Sequence, residues 1–357
     1  MPGNIRRNGK KRSTMMDVAA MAGVSQATVS LVLNGSTGAK LSESTRRRVL
    51  KSAQKLNYQI ARHGTRMTSD SPSFILFIAD EVTTDPWMTL AFEGARDRAL
   101  EMGINVCLVL SHGDEDVESK IAAQTGQLPI LGFIYGTVLT RRVELPASLQ
   151  NHHTVLVNCY DKKRAFPSVL PGDLLGGRTA TERLIAAGHR RIGFINGQQG
   201  LDNASDRLKG YKQALASHDI PFDPKLVRPG NWEPSAGYEM THALMKMDNP
   251  PDAIFCANDM MALGCFDALA ELGFKVPHDV AVVGLDDRLI AQFMHPPLTT
   301  LVLPHYEMGG IAAELLIDRA GGLTTGPNQI KVECALVERQ SVTVPKRQGQ
   351  SAVAHPS

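Results

Sequence analysis

Cysteine is scarce in this sequence, aromatic residues are few, and long apolar runs are missing. The five cysteines, Cys107, Cys159, Cys256, Cys265 and Cys334, are odd in number, widely spaced and form no CxxC pair. That pattern excludes a disulfide framework and a cysteine zinc site, and the mostly apolar flanks predict buried free thiols. No stretch approaches the roughly 18 unbroken apolar residues of a membrane span. The basic start, Met1 to Lys11, has no apolar segment of about 7–15 residues behind it, so it does not read as a secretory signal and a cytoplasmic protein is expected. Catalytic signatures are also wanting: there is no GxxxxGKS or GxxxxGKT phosphate loop, no GxGxxG after the first apolar run, no GxSxG elbow and no HExxH. His152-His153 and His189 lack partners at metal-ligand spacing. No enzyme, metal site or cofactor is expected.

Acidic residues are nearly absent from the first 68 positions. Of the 38 Lys and Arg in the chain, 13 lie there, against only Asp17 and Glu43. The segment therefore carries +11 and the remainder −9, a polarity hidden by the overall +2. A short basic head on a long acidic body suggests polyanion binding by the head and some other task for the body.

A length of 357 residues suits two or three domains. Residues 1–13 are basic and without periodicity, and 346–357 look equally unstructured, so both are expected as disordered tails. Between 14 and 58 three short helices are predicted. The first runs from Met16 to Ala22 and stops at Gly23, and the second is capped by Ser25 and runs from Gln26 to Asn34. The third follows Ser42 to Leu56, with Val49, Leu50, Ala53 and Leu56 as its inner stripe. Residues 59–72, with Gly64, Ser69, Ser71 and Pro72, read as a linker.

From 73 to 345 short apolar runs alternate with helical patterns. The runs are Phe74 to Ile78, Val106 to Leu110, Gly132 to Tyr135, Thr154 to Asn158, Ile192 to Ile195, Ala253 to Cys256 and Val280 to Gly284. This alternation predicts an α/β body of parallel sheets with helices on both faces, divided into two lobes near Pro171-Gly172. Ligands of such sheets sit beyond the carboxyl ends of the strands, so a small molecule between the lobes is expected.

Within the head, Ala19 is small enough for close helix crossing, Gly23 permits a left-handed turn, and Val24 and Val29 plug the angle between helices. That is a helix-turn-helix, whose second helix presents Gln26, Ala27 and Leu31 outward to base edges. Glutamine can reach adenine in the major groove, and small apolar groups can meet thymine methyls. Ser25, Thr28, Ser30 and Asn34, with Arg46 to Arg48 nearby, suit phosphate positioning.

The run D-V-A-x-x-A-G-V-S-x-x-T-V-S-x-x-L-N from Asp17 resembles the DNA-binding head of lactose-repressor-type (LacI-type) transcription regulators. So does the later S-x-x-T-R-x-x-V and L-N-Y pattern ending at Tyr58. The body resembles the same family in Ala187 to Gly193, Arg207 to Tyr211, Phe255 to Asp259, Val283 to Asp287 and Pro297 to Thr300. The resemblance spans Thr14 to Val344. It implies a repressor that binds a pseudo-palindromic operator as a homodimer, or as a dimer of dimers, with a small-molecule effector in a two-lobed periplasmic-binding-protein-like body. It assigns 73–170 and 300–322 to the N-terminal lobe, and 171–299 and 323–345 to the C-terminal one.

By position, the hinge residue that wedges into the minor groove is Met67. Two departures stand out: Gly64 weakens a hinge helix by about 1 kcal/mol relative to alanine, and Leu31 stands where relatives often carry a polar or basic reader. The effector contacts implied are Arg207, Trp232, Asn258 and Asp286, with Trp87 as a wall of the N-terminal lobe. Asp173, just after Pro171-Gly172, is a candidate either for the pocket or for the lobe crossing. An aromatic face for ring C–H groups and charged or amide forks for vicinal hydroxyls suit a mono- or disaccharide. Purine-responsive relatives share the build, and Asn258 favours the sugar. A soluble solute receptor shares the body, but would need an export signal in place of the head.

Overall fold

The computed structural model describes residues 15–24, 28, 29, 32, 42–56, 74–125, 128–323 and 328–344. In the head, helix Met15–Ala22 ends at Gly23, whose φ of 63° is readily adopted by a residue without a Cβ. Helix Glu43–Lys55 begins at Ser42, whose hydroxyl accepts from the Thr45 N–H at 3.1 Å. Val18, Ala19, Ala22, Val29, Val32, Val49 and Ala53 form a core of their own, with Val24 and Leu56 against it. The expected inner stripe needs one correction. Leu50 is 49% exposed, because Val49, Ala53 and Leu56 already follow the i, i+4, i+7 row and the next residue round the helix faces away.

The first body sheet is wholly parallel, in the order β11-β5-β4-β3-β1-β2. Its strands are β1 Phe74–Ala79, β2 Asn105–Leu110, β3 Ile130–Val143, β4 Thr154–Asp161, β5 Ser168–Pro171 and β11 Gln329–Val332. Ile75, Phe77, Ile134, Val155 and Val157 face one apolar cluster, while Leu76, Ile78, Phe133, Tyr135 and Leu156 face another. Burial on both faces explains why these strands read as continuous apolar runs. Helices Trp87–Leu100 and His305–Ala320 pack against each other on the first of these faces. On edge strand β2, Cys107 is exposed, whereas the other four cysteines are buried thiols as expected.

The second sheet is also parallel, in the order β7-β6-β8-β9, from β6 Ile192–Ile195, β7 Val227–Arg228, β8 Ala253–Cys256 and β9 Ala281–Val283. Helices Asp173–Ala186 and Asp202–Ser217 pack as one pair, and Pro234–Met245 with Asp259–Glu271 as another. A small antiparallel pair, β10 Thr300–Leu301 with β12 Leu336–Val337, completes this lobe, so residues 300 and 301, expected in the N-terminal lobe, belong to the C-terminal one.

The chain passes between the lobes three times, at Pro171 to Asp173, at Leu303 to His305, and between β11 and β12. The last crossing corrects the expected lobe assignment of 323–345. Gln329–Val332 pairs in parallel with Ser168–Pro171, so it belongs to the first sheet, and only the chain from β12 onward returns to the second lobe. Among the described residues, no helix is long and apolar enough to cross a membrane.

Candidate functional site: a cavity between the lobes

The carboxyl ends of both sheets face a cavity of about 350 Å³. Trp87, Arg207, Trp232, Asn258 and Asp286 all line it, as do Asp85, Asn158, Arg288 and His305. The structure thus brings together every effector-contact residue expected from the sequence. Of the residues expected to meet DNA, Ser25, Gln26, Ala27, Ser30, Leu31, Asn34 and Met67 lie outside the described residues. Thr28 is helical and half-buried in the head, while Arg47, Arg48 and Lys51 are exposed on helix Glu43–Lys55.

Arg207 is 2% exposed on the buried side of helix Asp202–Ser217. Its Nε donates to Asp173 Oδ1 at 2.8 Å, its Nη1 donates to the Ala257 carbonyl, and its guanidinium lies 5.3 Å from the centre of the Trp232 ring. Burial works against the charge, but the carboxylates of Asp173 and Asp286 outweigh it and hold the guanidinium above its ordinary value. Asp173, a candidate from the sequence for the pocket or the lobe crossing, is therefore the counter-ion that fixes this arginine.

Trp232 is held by two features. Its backbone lies at φ 73°, and its six-membered ring presses so closely on Gly197 that a Cβ there would sit 1.9 Å from the ring. Its carbonyl accepts from Asn258 Nδ2 at 2.9 Å, while Asn258 Oδ1 accepts from the Met261 N–H at 2.9 Å as the cap of helix Asp259–Glu271. Both ends of the Asn258 amide are therefore engaged, leaving one Nδ2 hydrogen for a ligand. Asp286, at φ 138° just beyond β9, is buried, and burial raises its carboxyl well above the usual range against the pull of Arg207. Behind it Asp259 is pushed up to about 6 by burial, although it accepts from Thr300 Oγ1 at 2.5 Å and the Arg288 N–H at 2.8 Å.

The opposite wall is Trp87, at the start of helix Trp87–Leu100. His305 stacks on it with ring centres 5.3 Å apart, and the Arg288 guanidinium lies 5.1 Å from its ring. His305 is 1% exposed and neither ring nitrogen has a hydrogen-bond partner. Burial, with Arg207 adding to it, pushes its pKa down to about 3, so the imidazole is neutral. Sequence reasoning missed this residue. The available signal was its place directly after Pro304 at a lobe crossing, matching Asp173 after Pro171-Gly172. Polar contacts join the lobes: Arg288 pairs with Asp85 at the cavity, the Tyr160 hydroxyl donates to Asp202, and Lys331 donates to Asp206 at 3.4 Å.

A basic helix-turn-helix head joined to a two-lobed body with a polar cavity between its sheets defines a DNA-binding transcription regulator that answers to a small molecule. The comparisons agree. Residues 14–60 match the profile of bacterial regulatory proteins, lacI family, and residues 181–342 match a periplasmic binding protein-like domain. The chain is 32% identical over 334 residues to the HTH-type transcriptional repressor CytR of Escherichia coli (strain K12), covering 92% of this chain and 96% of that one. It is 30% identical over 336 residues to the HTH-type transcriptional repressor PurR of Yersinia pestis (strain Pestoides F), covering 92% and 97%. Among solved structures, the transcriptional regulator CelR–cellobiose complex aligns with a TM-score of 0.64 at 30% identity, over 92% of this chain and 100% of that one. The lac repressor dimer bound to operator and the anti-inducer ONPF aligns with a TM-score of 0.64 at 26% identity, over 93% and 100%. The chain belongs to the LacI family of bacterial regulatory proteins.

Proposed function

We propose that the protein represses carbohydrate-utilisation genes, and that a mono- or disaccharide held between the lobes sets its grip on a pseudo-palindromic operator. The observation that carries this reading is the convergence of two indoles and hydrogen-bonding side chains from both lobes on one cavity. Indole faces suit the C–H groups of a sugar ring, and buried donors and acceptors suit its hydroxyls. A ligand touching both lobes binds differently as their arrangement changes, which is the condition for moving a two-state equilibrium. In this reading Arg207, Trp232, Asn258, Asp286 and Trp87 contact the effector. Gln26, Ala27 and Leu31 read base edges, Ser25, Thr28, Ser30 and Asn34 position the head on phosphates, and Met67 enters the minor groove. The protein acts in the cytoplasm, on the nucleoid, without catalysis.

It does so as a homodimer. Leu289 is 71% exposed and Phe293 63% exposed on one short turn, an apolar patch that a second copy covers. The lac repressor neighbour is itself described as a dimer.

The test is thermal unfolding of the full chain against mono- and disaccharides, sugar phosphates and purines, followed by operator release. A ligand at about 100 times its Kd adds roughly 2.7 kcal/mol to the stability of the part it binds. A shift with one sugar that also changes operator occupancy supports the reading. Purines are the second class to test, because the internally engaged Asn258 amide does not discriminate against them. A shift with a purine alone would replace the sugar while keeping the regulator.

A further inference from the structure

We propose that the effector of this cavity is an electrically neutral polar molecule, and that phosphate esters and sugar acids are excluded from it. This rests on the effector reading above and narrows its chemical class. Among the described residues lining the cavity, the only cations are Arg207 and Arg288. An anionic effector needs one of them free, since binding a phosphate or carboxylate in a buried site without a counter-charge is strongly unfavourable.

Neither is free. The Arg207 guanidinium is held by Asp173 at 2.8 Å and by the Ala257 carbonyl, with Asp286 as a second acid nearby. Arg288 pairs with Asp85 across the cleft and lies 3.6 Å from Asp286. Glu233 adds a further carboxylate to the lining. The lining thus carries three acidic side chains, Asp85, Glu233 and Asp286, against two arginines, so an incoming anion meets either a paired cation or an acid.

Among the lining atoms without a hydrogen-bond partner, Arg288 Nε is the one that belongs to a charged side chain, and it lies 3.6 Å from the Asp286 carboxylate; the others are uncharged. Trp232 Nε1 is a buried donor without an acceptor, and His305 has two buried ring nitrogens without partners. A neutral imidazole offers one donor and one acceptor. Together they present two donors and an acceptor, complementary to hydroxyl or amide groups, which both give and accept. A partner-seeking site of this make-up selects by hydrogen bonding, where a missing group leaves a buried polar atom unsatisfied.

Both tryptophans of the chain line this cavity, so intrinsic tryptophan fluorescence reports on it alone. The full-length protein is titrated with matched pairs, namely free sugars and nucleosides against their phosphate esters, and free sugars against their uronic acids. The neutral member is expected to bind at least tenfold more tightly than its charged counterpart. Equal or tighter binding of a charged member overturns the proposal. A second arm needs no effector: wild type and D85N are titrated with inorganic phosphate at constant ionic strength. A saturable response of the wild type would reveal a free cation and also overturn it, whereas a response gained only in D85N supports it. If no sugar binds while the phosphate arm gives the expected result, the carbohydrate reading falls and the exclusion of anions stands.

Discussion

At the scale of single residues, Arg207 and His305 show two opposite ways of living in a low-dielectric cavity. Arg207 keeps its charge through a buried pair with Asp173, and removing one member of such a pair is costly because the other is left alone. Arg207→Ala is expected to lose effector response and to destabilise the body by roughly 3–5 kcal/mol. Replacing both partners, as Arg207→Met with Asp173→Leu, is expected to recover most of that stability while response stays absent. Parallel chemical denaturation and operator-release assays separate the two effects, and release by the double variant at the wild-type effector concentration would remove Arg207 from the site. His305 instead gives up its charge. Its pKa falls from an ordinary 6.5 to about 3 in the folded chain, so the unfolded chain binds the proton more readily. The stability from keeping it neutral is complete above about pH 6.5 and is lost as pH falls toward 3. His305→Asn is expected to show a smaller loss of unfolding midpoint than wild type between pH 7 and pH 4.5, and equal losses would count against it.

At the scale of elements, legibility followed burial. Ile192–Ile195 and Ala253–Cys256 were readable because a strand covered on both faces is apolar throughout, and four such residues between turn signals leave little else to be. Gln329–Val332 was placed in the wrong lobe because its burial is partial and its partner, Ser168–Pro171, lies more than 150 positions away. Pairing at that distance leaves no local periodic trace. Leu50 was misplaced for a different reason: a leucine next to a true inner residue fits the helical row almost as well as its neighbour. In the cavity, motif position identified Arg207 and Trp232 directly. His305 was not legible, since its importance comes from stacking on Trp87, over 200 residues earlier. Capping was legible too, and Ser42→Ala is expected to cost about 1 kcal/mol of head stability by orphaning the Thr45 N–H. Loss of head helicity at lower temperature, followed by circular dichroism of the full chain, would show it.

At the scale of the whole molecule, association and DNA binding are coupled in the proposed reading, because two heads must meet two half-sites. Phe293→Glu places a charge in the exposed apolar patch with Leu289 and Ile290. It is expected to shift the protein toward monomer at micromolar concentration in sedimentation velocity, and to weaken operator binding at least tenfold with the head unchanged. A variant that stays dimeric would move the interface elsewhere. Affinity for operator is also expected to fall steeply with salt, in keeping with phosphate contacts from the basic head.

The three crossings between the lobes also bear on how such a gene can be recombined. Neither lobe is one continuous stretch of code: the first needs Gln329–Val332 as well as residues before 171, and the second needs Leu336–Val337 as well as residues 173 to 301. A single crossover between residues 173 and 329 therefore joins incomplete halves of different parents in both lobes at once, and one between 74 and 171 still splits the first. An exchange at 59–72 transfers the head and leaves both lobes whole. Ancestral shuffling of heads among bodies is thus a one-event change, whereas grafting a new lobe requires several coordinated breaks, and new effector preferences are reached more readily by point substitution around the cavity.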